Sequence, residues 1–216
     1  MRRDLQDELK NNKDFRVVIF GSARIKKGDE RYREIKSLAK MLGEHGIDVV
    51  TGGGPGLMMA ANEGHRQGKK GKNKSHSIGL NIKLPREQKA NKSLDITKTF
   101  SRFSNRLDSF MLLSNVIVVA PGGVGTLLEF LYSWQLIQVK HTCHIPIILL
   151  GKQWPPLIKW VEQYPLKNKF LNKEDMSSLF LAKNTKEAMK MIETAHKEFK
   201  SGNKKFCLNY KKYKLY

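Results

Sequence analysis

Three glycines, a threonine and a glutamate stand close together at Gly122, Gly123, Gly125, Thr126 and Glu129. An apolar run, Val116 to Ala120, leads into them. A run with apolar residues at helical spacing, Leu127, Leu128, Phe130, Leu131 and Trp134, leads out. A glycine-rich turn between a buried strand and a helix start suits an anion. Glycine lets the backbone come close, and the helix N-terminus offers unpaired N–H groups at the positive end of its dipole. Thr126 is expected to cap the helix and to donate to a phosphate oxygen. Glu129 lies one turn further in, within reach of a sugar bound with that phosphate.

A second glycine cradle, Thr51-Gly52-Gly53-Gly54-Pro55-Gly56-Leu57-Met58, follows another apolar run. It is not a nucleoside-triphosphate loop, since no Gly-Lys-Ser/Thr follows it. Nor is it a dinucleotide fingerprint, whose glycines belong after the first strand. Here the first turn is Gly21-Ser22-Ala23-Arg24. One such turn also serves tight strand–helix packing. Two on one sheet edge argue for a phosphorylated ligand.

The elements that must position these turns alternate along the chain. Strands are expected at 16–20, 47–50, 77–82, 116–120 and 145–150, with a short last one at 179–181. Helices are expected from Tyr32 to near Gly46 and over 57–67, 103–114, 126–139, 157–163 and 188–199. Such alternation implies right-handed crossovers and a parallel sheet covered on both faces. Ligands of such sheets bind at the carboxyl ends of strands, where the serine- and glycine-bearing turns converge. The fold class is therefore a single-domain α/β sandwich, Rossmann-like and doubly wound. A charged helical extension occupies residues 1–14, the α/β domain 15–200, and a basic, aromatic tail 201–216.

The bulk numbers set limits. At 216 residues, 40% of them hydrophobic, the chain suits one sizeable core. Its apolar runs are too short to span a bilayer, and the N-terminus lacks the apolar stretch of a secretory signal. A cytoplasmic location is expected, with no membrane partner. Cys143 and Cys207 do not make a disulfide framework, and no Cys/His spacing suggests zinc. His65, His76, His141 and His144 read as surface or structural. Trp134, Trp154 and Trp160 read as core or interface aromatics. The net charge of +20 permits nucleic-acid contact. Because many lysines alternate with acids in helical patterns, only weak, non-specific binding is expected.

The PGGxGTxxE stretch, the GGGPGLM stretch and Arg106 together resemble the Lonely Guy family. These are phosphoribohydrolases that activate cytokinins, often mislabelled lysine decarboxylases. Phe20-Gly21-Ser22-Ala23-Arg24, Leu84-Pro85-Arg86-Glu87-Gln88 and Asn91 resemble a longer bacterial branch of it. The likeness runs from about Phe20 to Trp160. It implies hydrolysis of the N-glycosidic bond of a nucleoside 5′-monophosphate, AMP or a cytokinin riboside monophosphate, by a homodimer that needs no metal or cofactor. It implies catalytic roles for Arg106 and Glu129. Substrate contacts fall to Ser22, Gly53, Gly54, Met58, Glu87, Gly122, Gly123, Gly125 and Thr126. On the residues alone, Arg106 reads equally as a surface arginine beside Phe103, Phe110 and Leu113, and Glu129 as a first-turn acid complementing the helix dipole. The sequence departs from the family at Leu107, where a lysine is usual, at Leu128, where a glutamate is common, and in the basic loop from Lys69 to Lys74. Two other readings compete: a non-catalytic nucleotide or cofactor carrier of the same fold, and a basic RNA-binding protein. Nothing resembles a pyridoxal-phosphate lysine site.

Overall fold

Period-two order runs through strands that are apolar at almost every position. Val17 and Ile19 pack with one layer of helices, Val18 and Phe20 with the other. The computed structural model describes residues 14–69, 74–84 and 91–202. Most of the expected N-terminal extension, Lys70 to Asn73 of the basic loop, Glu87 and most of the tail lie outside the described residues.

Seven parallel strands form one sheet: β1 (Arg16–Phe20), β2 (Asp48–Thr51), β3 (Ser77–Ile82), β4 (Ile96–Phe100), β5 (Val116–Val119), β6 (Ile147–Leu150) and β7 (Leu179–Ala182). Their order is β4-β3-β2-β1-β5-β6-β7, so the chain winds outward in both directions from the β1–β5 pair. Among the described residues, six α-helices cover it: α1 (Glu30–Glu44), α2 (Leu57–Gly68), α3 (Phe103–Leu113), α4 (Val124–Gln138), α5 (Trp154–Val161) and α6 (Thr185–Lys200). α1, α2 and α6 pack on one face, and α3, α4 and α5 on the other. The result is the expected single-domain, three-layer α/β sandwich. No helix among the described residues is long and apolar enough to cross a membrane.

Three differences from the sequence reading have physical causes. The sequence reading placed no strand at β4. It is an edge strand reading Ile-Thr-Lys-Thr-Phe, half exposed, and its polar centre suits an edge while hiding the strand pattern. α5 begins at Trp154, three residues early, because Pro155 and Pro156 occupy its first turn, where a missing N–H costs nothing. α4 begins at Val124 with Gly123 at the N-cap, so Thr126 is the third helical residue and does not cap. Trp134 and Trp154 are core residues, whereas Trp160 is half exposed against Tyr164. His65 is wholly buried, its Nε2 3.0 Å from the Ile47 carbonyl oxygen, and burial pushes its pKa down to about 4.

The crossing of α1 and α2 is backbone against backbone. A Cβ on Gly64 would run into the Lys36 carbonyl, and one on Gly68 into that of Lys40. Helix propensity alone makes Gly64→Ala stabilising by about 1 kcal/mol. A carbonyl in a packed helix cannot yield, and overpacking of that kind costs about 1–3 kcal/mol. Gly64→Ala is therefore expected to lower the urea midpoint at unchanged slope. A raised midpoint would show that the helices can part.

Candidate active site

The strand order reverses between β1 and β5, and crevices in such sheets open at the carboxyl ends of the strands beside that point. A cavity of about 520 Å³ lies there. The loop after β1 supplies Ser22 and Arg24, the turn after β2 supplies Gly52 and Gly54, and Met58 comes from α2. The end of β3 supplies Asn81 and Ile82, and α3 supplies Phe103 and Arg106. Gly123, Gly125, Thr126 and Glu129 come from the start of α4. Eight of the sequence-expected site residues thus meet around one space. Gly53 and Gly122 are not in its lining, and Glu87 lies outside the described residues.

Arg106 and Glu129, 23 positions apart in sequence, form an ion pair in the cavity wall, Nη1 to Oε1 3.3 Å, with side chains only 9% and 14% exposed. Three further contacts hold the arginine. Its Nε donates to the Leu80 carbonyl at 2.6 Å, its guanidinium lies 5.1 Å from the centre of the Phe110 ring, and Gly52 leaves room for it. A Cβ on Gly52 would collide with Nη2 and with Sδ of Met58. Burial is the larger influence on Glu129 and raises its pKa to about 7, against the opposing pull of Arg106. Burial likewise lowers Arg106, and Glu129 opposes it. The result is a carboxyl group poised to exchange its proton near neutral pH, a property common at reacting centres.

The glycines divide by what they touch. Gly53 has φ +69°, and its missing side chain makes room for Asn81. Gly56, at φ +69°, lets the loop of Ser22 and Ala23 lie against it. A Cβ on Gly122 would strike the buried hydroxyl of Thr126, and both backbone groups of Gly122 are taken by Gln153, which donates to its carbonyl at 2.8 Å and accepts from its N–H at 3.0 Å. These three are packing glycines. At Gly123 and Gly125 an added Cβ would meet no atom within 4 Å. Those two glycines face open space beside the N-terminus of α4, where no described side chain caps the helix. The backbone N–H groups there remain for an anion.

Sequence reasoning gave several members no role, Asn91 among them although it carried part of the resemblance. Asn91 holds the second cradle from behind, its Nδ2 donating to the Gly53 carbonyl at 3.1 Å and to Asn62 Oδ1 at 2.8 Å. Asn62 in turn donates to Ser77 and accepts from Thr51. The signal for Asn81 was present as one amide in the otherwise apolar strand Ser-Ile-Gly-Leu-Asn-Ile. No local pattern announces Gln153.

The family model described as "Possible lysine decarboxylase" matches residues 58–192. Comparison with curated proteins finds no match. Among solved structures, the chain is similar to the molybdenum cofactor binding protein of the phototrophic bacterium Rippkaea orientalis, with 17% identity over 84% of this chain and 96% of that one and a TM-score of 0.62. It is similar to the Moco carrier protein of Chlamydomonas reinhardtii, with 22% identity over 86% and 99% and a TM-score of 0.62. It is also similar to DNA processing protein A of Helicobacter pylori, a single-stranded DNA binder, with 15% identity over 87% and 83% and a TM-score of 0.56. At these identities the likeness is one of fold.

The raised pKa of Glu129 has a consequence for stability. Between its ordinary 4.5 and about 7 the folded protein keeps a proton that the unfolded chain has released. Stability from this group therefore falls as pH rises across that window. Glu129→Gln removes the effect. The stability of Glu129→Gln relative to the natural protein should grow from about pH 4.5 to 7 and stay level above, as read by urea denaturation at a series of pH values. A gap that shrinks over that window would show that the pair with Arg106 outweighs burial.

Proposed function

We propose that this chain, which belongs to the family described as possible lysine decarboxylases, hydrolyses the N-glycosidic bond of a nucleoside 5′-monophosphate to free base and ribose 5-phosphate. The observation that carries this is the pairing of Arg106 with Glu129 beside a helix N-terminus whose two nearest glycines have no packing duty. The family is the one whose Lonely Guy members the motifs resemble. No lysine lines the cavity among the described residues, so a Schiff-base decarboxylase has no anchor there.

The proposed division of labour draws on the geometry. The N–H groups around Gly123, Gly125 and Thr126 take the phosphate, assisted by Ser22 and Arg24. Gly54 and Met58 line the ribose and the base. Loss of the base leaves positive charge at C1′ of the sugar, which the Glu129 carboxylate stabilises while orienting the attacking water. Arg106, fixed by Leu80 and Phe110, assists the leaving base. Gln153 keeps the loop at Gly122 in place.

A carrier of an anionic cofactor is the second reading, since two of the similar folds are molybdenum cofactor binders or carriers. A second copy of the chain is expected to pack on α4, where Val124, Leu128 and Leu131 form an exposed apolar stripe at helical spacing.

Incubation with AMP is expected to release adenine, far faster than from adenosine, because phosphate binding positions the ribose. Glu129→Gln and Arg106→Ala should each lower turnover by about 10²–10⁴-fold with folding intact. The natural protein's kcat/KM should rise with pH through about 7 as Glu129 ionises. Tight binding of nucleotide or of molybdenum cofactor without base release would favour the carrier, and near-normal turnover in either variant would remove that residue from the mechanism.

A further inference from the structure

We infer that Asn81 donates a hydrogen bond to the base of the bound nucleotide and so selects a purine, an inference that rests on the nucleotide reading of the cavity. Asn81 is 9% exposed, and among the described residues its Oδ1, sealed against Gly53, has no hydrogen-bond partner. A buried amide left unpaired costs stability. This one is given its place by Gly53, which at φ +69° carries no side chain that would strike it. The sealed oxygen leaves Nδ2 as the atom of that amide open to the cavity, which Asn81 lines.

The sheet gives the distance. β5, β1, β2 and β3 lie side by side in that order, and neighbouring strands are about 4.8 Å apart, so the tips of β5 and β3 are separated by about 14 Å. The anion end lies at the N-terminus of α4, directly after β5. The Arg106 guanidinium lies between Gly52 after β2 and the Leu80 carbonyl of β3. A nucleotide with its phosphate on α4 and its C1′ at the ion pair therefore extends its base toward the end of β3. There the wall is apolar, with Met58, Ile82, Leu84 and Phe103 around a flat ring. Among the described residues, Asn81 supplies the polar side chain at that end. The longer reach of a two-ring base brings a ring nitrogen or exocyclic oxygen to Nδ2, whereas a one-ring base stops short.

The test measures binding by calorimetry in the Glu129→Gln background, which halts turnover, using AMP, UMP and ribose 5-phosphate as probes. Asn81→Ala should weaken AMP about tenfold while leaving UMP and ribose 5-phosphate within about twofold, the loss of one hydrogen bond to the base. Asn81→Asp keeps the shape but replaces the donor with an acceptor. It should weaken AMP further and again spare ribose 5-phosphate. Equal losses for AMP and ribose 5-phosphate would assign Asn81 to holding the Gly53 turn and overturn the inference, as would unchanged AMP binding in both variants. Natural protein that releases no base from any monophosphate, yet shows the base-dependent loss, would overturn the hydrolase reading alone.

Discussion

The buried pair of Arg106 and Glu129 is the constraint to which the tips of the strands are fitted. A charge taken out of water costs several kcal/mol unless it is paired and its remaining hydrogen-bonding atoms are used. Arg106 meets that requirement through parts of the chain that are far apart in sequence. Leu80 on β3 accepts from Nε, Glu129 on α4 faces Nη1, and Phe110 lies beside the guanidinium plane. Gly52, after β2, is small because the arginine passes it. Removal of any one partner leaves the cation under-satisfied in a place water reaches poorly. The pair therefore links Leu80 on β3 to Glu129 on α4 through one side chain, with Gly52 leaving it room.

The topology converts that constraint into a directional site. With the order reversing between β1 and β5, the loops after these strands turn to opposite faces and leave a crevice between them. Ser22 closes one side. Its N–H donates to the Pro121 carbonyl and its own carbonyl accepts from Leu57 N–H, so the loops after β1, β2 and β5 are joined through one residue. The uncapped start of α4 faces the same crevice. One end thus carries N–H groups for an anion, the middle carries a coupled acid and cation, and the end at β3, among the described residues, is apolar but for the amide of Asn81.

Much of this order was legible in the sequence. The strands at 16–20 and 77–82 and the helix from Leu57 lie where apolar spacing put them, and the strand read at 179–181 and the helix read from Tyr32 are extended by only a residue or two, to Ala182 and to Glu30, because burial on two faces or one leaves a strong period. β4 was not legible, since an edge strand with Thr-Lys-Thr at its centre carries no such period. Arg106 and Glu129 were legible as a pair through the resemblance alone; no spacing rule links residues 23 apart on different helices. The glycines were read as one class, and the structure separates them. Composition cannot distinguish a glycine that admits Asn81 or Thr126 from one that admits a ligand, because both fill a space that only the folded chain defines.

The same separation bears on whether the cavity holds a ligand or transforms one. A carrier of an anion is served by Arg24, by the α4 N-terminus and by unhindered glycines. A carboxylate in the same wall opposes it, because two negative groups in a poorly hydrated space repel each other more strongly than in water. Glu129 already bears a cost there, since burial raises its pKa to about 7. Such a group lowers affinity for the ground state of an anionic ligand and gains its value when positive charge develops nearby. Cleavage of a glycosidic bond develops that charge at the sugar carbon. Arg106 limits the ground-state repulsion by sharing the carboxylate, yet its own ties to Leu80 and Phe110 keep it from following the ligand. An arrangement that weakens binding at rest and strengthens it only as a cation forms supports the proposed hydrolysis over the carrier reading.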